Sequence, residues 1–146
     1  MGGSRPADLA GDDRTLDVSA SYKSADDGHP VFCLRYIHGK HGLKNKKLST
    51  KDKAQMLDRL HALSQLTWEE VRQQDRHAYG AEKMSFDSLK AGKPDLMPGA
   101  IAEADAFHDV LVFRRNSNKN VFAGVRVSNT LHILYIEAKF GDLYNH

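Results

Sequence analysis

The start signals of two helices lie in one stretch of the sequence, residues 49–75: STKDKAQMLDRLHALSQLTWEEVRQQD. Ser49 with Asp52, and Thr67 with Glu70, each place a hydroxyl three residues before a carboxylate, which is the spacing of a capping box. Apolar side chains follow the first box at helical spacing, and they are Met56, Leu57, Leu60, Leu63 and Leu66. The pattern predicts two consecutive helices that pack together.

The helix boundaries follow from the same stretch. The first helix is expected to end near Ser64, and the second is expected to span 67–75. Leu66 before the second cap and Val71 at the fourth helical position fit a hydrophobic staple. Trp68 at the start of the second helix is expected to belong to the core.

Apolar runs on both sides of the helices have the composition of β-strands. One run precedes them at 31–38, and three follow at 110–113, 121–127 and 131–136, separated by short polar turns. The segment 76–107 between them contains several Gly and Pro residues and is expected to be irregular. The fold prediction is therefore α+β: one strand, two packed helices, then a three-stranded antiparallel meander.

Length and composition limit the chain to one folded unit. Its 146 residues suit a single domain, predicted over 30–146, and the polar stretch 1–29 is expected to be a flexible tail. A single cysteine, Cys33, excludes an internal disulfide framework. Since no run of 18 apolar residues and no secretory signal is seen, we expect a cytoplasmic protein with no membrane partner.

The net charge of +2 conceals a basic block. Residues 31–59 hold eight basic and two acidic residues, a net of +6, whereas 1–30 carry a net of −3. The stretch 40–53, named the lysine segment here, is interpreted either as a polyanion contact or as a solvated loop. Its candidate nucleic-acid-binding residues are Lys40, Lys44, Lys46, Lys47 and Lys51.

A cluster of mixed charge follows the second helix and forms a candidate site. Arg76, His77, Glu82 and Lys83 surround Gly80, which permits a tight turn. His77 is a candidate for proton transfer, and Arg76 and Lys83 are candidates for phosphate binding. The alternative is a polar loop that caps the helix.

Basic and protonatable residues near the sheet form further candidates. Arg126 points away from the valines of its strand, so it is predicted to contact phosphate on the open sheet face, with solvent exposure as the alternative. Arg114 and Arg115 are weaker candidates for the same contact. Tyr144 and His146 are candidates for proton transfer. No metal site or cofactor is predicted, because His38 and His41 lack a third ligand.

The element order and the C-terminal residues resemble the RelE/ParE toxin superfamily, and most closely its RelE/YoeB-type messenger-RNA endonucleases. The resemblance rests on the stretches Val121-Phe-Ala-Gly-Val-Arg126, Leu131-His-Ile-Leu-Tyr-Ile136 and Leu143-Tyr-Asn-His146. It implies a toxin that cuts mRNA without a metal, with Arg126 on the phosphate and Tyr144 or His146 transferring protons. It also implies an antitoxin partner and contact of the lysine segment with RNA or the ribosome.

Two other functions remain open from the sequence. One is a non-catalytic toxin or module that blocks a protein partner, for example in replication or translation; this predicts an exposed apolar patch. The other is a non-catalytic nucleic-acid-binding domain, which predicts steep salt dependence. The endonuclease requires Arg126 to converge with Tyr144 and His146.

Overall fold

Both capping boxes form in the computed structural model, which describes residues 28–75, 79–91, 109–115 and 119–146. They start helix α1, Thr50–Ser64, and helix α2, Trp68–Gln73. In each box the hydroxyl accepts from the backbone N–H three residues on, and the carboxylate accepts from the N–H of the cap residue. The two predicted helices are therefore confirmed.

Five strands form one mixed sheet, in the order β1-β5-β4-β3-β2. Strand β1 pairs in parallel with β5, and the other neighbours are antiparallel. The strands are β1, Val31–Cys33; β2, Ala81–Ser85; β3, Asp109–Arg114; β4, Val121–Val127; and β5, Thr130–Ile136. A 3₁₀ turn, Phe86–Ser88, follows β2. The α+β class is confirmed.

Strand β2 was not predicted from the sequence. Glu82 and Lys83 were expected in a loop, but they pair with Val112 and Leu111 of β3. This strand carries little apolar signal because only Ala81 and Met84 of its five residues are apolar, and it lies at the edge of the sheet. The first strand is also shorter than the predicted 31–38, since β1 ends at Cys33.

The sheet is covered on both faces. One face packs against the helices in a helix-face core, which contains Met56, Leu60, Leu63, Trp68, Val71, Phe113, Phe122, Leu131 and Ile133. The other face carries a far-face core, which contains Phe86, Leu89, Val110, Val112, Val121, Ala123, Val125, Leu134, Tyr135, Leu143 and Tyr144. An irregularity in register at Ala123/Gly124 lets the consecutive Leu134 and Tyr135 both enter the far-face core.

The packing of the two sheet faces shows that the face of Arg126 was predicted wrongly to be open. The alternation predicted from the sequence is right, because Phe122 belongs to the helix-face core and Val121 and Val125 to the far-face core. The Arg126 face is not open, however, since the helices cover it. The C-terminal residues and the 3₁₀ turn cover the valine face instead.

Some predictions fall on residues outside the described ranges: the tail 1–27, Arg76, His77 and the segment 92–107. Among the described residues, no helix is long and apolar enough to cross a membrane.

Candidate functional site

Arg126 is stacked on Trp68 where the end of β4 meets the start of α2. Its guanidinium carbon lies 4.2 Å from the centre of the indole ring. Arg126 Nε donates to the carbonyl of Ser128 at 2.8 Å, and Trp68 Nε1 donates to the carbonyl of Asn129 at 2.9 Å. Both side chains are thus held by the turn between β4 and β5, which fixes the guanidinium over a buried aromatic ring.

A cavity of about 570 Å³ opens beside this stack and is named the groove here. Its volume lies within the range of small-ligand sites, about 300–1,000 Å³. Its apolar lining comes from Trp68, Val71, Ala81, Leu111 and Val125, and its charged lining from Arg72, Lys83, Asp109 and Arg126. Three cations and one carboxylate therefore surround an apolar and aromatic floor.

The strand register places the charged lining residues. Lys83 pairs with Leu111, and Asp109 pairs with Ser85 at the same end of the sheet. Because side chains alternate along a strand, Lys83 shares a face with Ala81, and Asp109 shares a face with Leu111. Ala81 and Leu111 both pack against the helix-face core, so Lys83 and Asp109 project on the side of the helices.

The lysine segment lies at the opposite end of the sheet. The carbonyl of His41 accepts from the N–H of Ile136, which pairs with Phe122 of β4. Phe122 is four residues from Arg126, about 13 Å along a strand. The exposed Lys40, Lys44, Lys46, Lys47 and Lys51 are therefore not part of the groove.

Backbone turns hold the lysine segment in place. His38 Nδ1 accepts from the N–H groups of Lys40 and His41, both at 3.1 Å. Burial is the main cause that lowers the pKa of His41 below its ordinary 6.5. The nearby His38 and Lys40 lower this pKa further. Among the described residues, no group of three or more His, Cys, Asp or Glu side chains could hold a metal ion.

A buried carboxylate organises the C-terminal residues. Glu137, 1% exposed, accepts from the N–H groups of Gly141 at 3.1 Å and Leu143 at 3.2 Å. His146 Nε2 lies 3.0 Å from the same carboxylate oxygen. The His146 ring stacks on Tyr144, with centroids 4.0 Å apart. These contacts form a clamp that closes the C-terminal turn.

The structure does not bring Arg126 together with Tyr144 and His146. Tyr144 packs in the far-face core and His146 stacks on it. Arg126 contacts Trp68 of the helix-face core, on the other side of the sheet. The convergence that the endonuclease requires is therefore not formed by Arg126, Tyr144 and His146.

Arg115 is not available to bind nucleic acid. It is fully buried, and its guanidinium lies 3.2 Å from Asp52 Oδ1. Burial alone would raise the pKa of Asp52, but the hydrogen bond from the backbone N–H of Ser49 and the neighbouring Arg115 guanidinium lower it below its ordinary 3.8. Arg114 is half-buried and lines a small crevice with Glu82 and Tyr144, so it is also outside the groove.

Arg72 and Asp109 were not predicted as site residues, and Trp68 was expected only in the core. Trp68 is indeed in the core, but it also supports Arg126. Arg72 could have been proposed as a site residue from the sequence, because it lies on the same short predicted helix as Trp68, directly after Val71. Asp109 carried no such signal, since its position depends on the pairing of β3 with the unpredicted β2.

Comparison of the chain with protein-family models, with curated proteins and with solved structures found no match.

Proposed function

We propose that this protein binds single-stranded RNA in the groove. The observation that carries the proposal is the guanidinium of Arg126, fixed over the buried ring of Trp68 and accompanied by Arg72 and Lys83 around an apolar floor. Nucleic-acid strands offer planar bases and regularly spaced phosphates, and this lining suits both.

The chemistry of each part supports this assignment. A guanidinium plane held from below by an aromatic ring offers its upper face to an unstacked base, as in many sites that recognise single-stranded RNA. Arg72 and Lys83 supply point charges for the neighbouring phosphates.

Binding rather than cleavage fits the positions of the candidate catalytic groups. Cleavage through a 2′-hydroxyl needs a proton-transfer group within hydrogen-bond reach of the reacting atoms. Tyr144 and His146 lie against the opposite face of the sheet from Arg126. The RelE-like endonuclease, and the antitoxin partner that it implies, stay predictions from the resemblance.

The alternative of a module that blocks a protein partner predicts an exposed apolar patch. The exposed large apolar side chains of the described residues are distributed over several separate elements: Val31, Leu34, Leu43, Leu57, Tyr79 and Phe140. Scattered side chains of this kind are normal on protein surfaces. The groove is therefore the stronger basis for a function.

Fluorescence anisotropy with a labelled single-stranded RNA of about 16 nucleotides tests the proposal. Arg126→Ala is expected to weaken binding by about tenfold, the loss typical of one stacked base. The control is Arg35→Ala, which removes an exposed arginine that stacks on Tyr36 outside the groove. Equal affinity of both variants, or absence of RNA binding by the wild type, would contradict the proposal.

The same samples separate binding from cleavage. The RNA is expected to remain intact on a denaturing gel after incubation with wild-type protein. Cleavage that persists in Arg126→Ala but is lost in His146→Ala would place a reaction at the C-terminal clamp instead.

A further inference from the structure

The first described residues of the chain are attached beside the groove. The carbonyl of Gly28 accepts from the backbone N–H of Trp68 at 2.9 Å, and Trp68 lines the groove. The ring Nδ1 of His29 lies 3.1 Å from the carbonyl of Ser64, at the end of α1. Because residue 27 is bonded to Gly28, the segment 1–27 is tethered next to the groove.

This N-terminal segment is opposite in charge to the lining of the groove. Its six aspartates stand against three basic residues, which gives residues 1–27 a net charge of −3. The lining of the groove carries three cations and one carboxylate. Aspartate carboxylates and RNA phosphates both accept hydrogen bonds from guanidinium and ammonium groups, so the same cations can hold either one. The aspartates are Asp8, Asp12, Asp13, Asp17, Asp26 and Asp27.

The point of attachment favours the groove over the other basic surface. An extended chain spans about 3.3–3.6 Å per residue, so the aspartates reach the groove from Gly28 without a stretched chain. A tether of this kind holds the segment at an effective concentration on the order of millimolar, at which weak ion pairs are sufficient for docking. The lysine segment is also basic, but it lies at the opposite end of the sheet from Trp68.

We propose that the acidic segment 8–27 occupies the groove in the RNA-free protein and that RNA has to displace it. The displacement rests on the proposed RNA-binding function, whereas the docking depends only on the groove and on the charges of the segment. The measured affinity for RNA is then lower than the affinity of the open groove, in proportion to the fraction of molecules in which the groove is open.

Carbodiimide crosslinking of the whole 146-residue chain tests the docking without RNA. The reagent joins a carboxylate to an amine that contacts it, and among the described residues that line the groove only Lys83 has a side-chain amine. We expect crosslinks between aspartates of 8–27 and Lys83, identified by mass spectrometry of the monomeric band. Crosslinks of this segment confined to the lysine segment, or an absence of any with Lys83, would overturn the proposal.

Two charge-matched pairs of substitutions test the competition with RNA. Asp26→Asn with Asp27→Asn removes two charges next to Gly28, and it is expected to tighten RNA binding by about fivefold, the gain when a groove open in one fifth of the molecules becomes fully open. The control, Asp58→Asn with Asp142→Asn, removes two charges outside the groove lining and is expected to change the affinity less than about twofold. Equal gains in both pairs would show a general effect of charge and overturn the competition.

These measurements separate the two proposals. Crosslinks to Lys83, with no RNA binding by the wild type, would support docking of the segment and refute the proposed function. RNA binding that depends on Arg126, with no crosslinks to Lys83 and equal gains in the two pairs, would refute autoinhibition and leave RNA binding in place.

Discussion

Asp52→Ala is expected to cost far more stability than the loss of a helix cap. One carboxylate oxygen of Asp52 accepts from the N–H of Ser49 at 3.0 Å and closes the capping box of α1. The other lies 3.2 Å from a guanidinium nitrogen of Arg115, whose side chain is 0% exposed. The substitution therefore removes half of a cap and leaves a buried cation without its counter-ion.

The expected loss in the free energy of unfolding is estimated from these two effects. Loss of a cap costs about 1 kcal/mol, and removal of one partner from a buried ion pair costs about 3–5 kcal/mol. Because 24% of the Asp52 side chain is exposed, water can partly replace the missing carboxylate, which favours the low end. We expect about 3 kcal/mol in total, a large part of the roughly 5–15 kcal/mol that stabilises a typical domain.

Urea denaturation of matched variants checks this value. Glu70→Ala opens the equivalent box of α2, where the carboxylate is exposed, so it is expected to cost only about 1 kcal/mol. The double variant Asp52→Ala with Arg115→Met removes the orphaned charge and is expected to recover part of the loss. Equal losses in Asp52→Ala and Glu70→Ala, or no recovery in the double variant, would show that the Asp52–Arg115 ion pair does not stabilise the fold.

Three further substitutions test the sheet and the C-terminal clamp. Gly124→Ala places a methyl group against the backbone of His132 and is expected to destabilise by about 1–3 kcal/mol in urea denaturation; an unchanged midpoint would contradict this close approach. Glu137→Ala leaves the N–H groups of Gly141 and Leu143 without their acceptor, so a loss of about 2 kcal/mol and faster amide exchange near the C-terminus are expected. Burial lowers the pKa of His132 below its ordinary 6.5, so the folded state resists protonation and stability falls as the pH drops below that value. His132→Leu should flatten this fall between about pH 7 and 5.5, and a profile as steep as that of the wild type would assign it to another group.

Local signals in the sequence predicted the helices well. Each capping box specifies its own start through residues three apart, so no tertiary information is needed. The strands β4 and β5 were also recognisable, because apolar runs bounded by polar turns are a local pattern. Strand β2 was not recognisable, since Ala81–Ser85 becomes a strand only by pairing with β3.

The candidate site was harder to predict than the fold. Alternation along β4 placed Arg126 opposite the valines, but it could not show which face the helices cover. Arg115 was read as a surface residue beside a turn, yet it is buried against Asp52, more than 60 positions away in the sequence. Contacts between residues so far apart in the sequence depend on how the helices pack on the sheet, and local patterns in a single sequence do not predict that packing.

Ultraviolet crosslinking of the wild-type protein to a single-stranded RNA, followed by mass spectrometry of the crosslinked peptides, tests the central claim most directly. Crosslinks are expected in the peptides that line the groove, which contain Trp68, Lys83, Leu111 and Arg126. Arg126→Ala is expected to reduce these crosslinks. Crosslinks confined to the lysine segment or to the C-terminal clamp, and unchanged by Arg126→Ala, would contradict this claim.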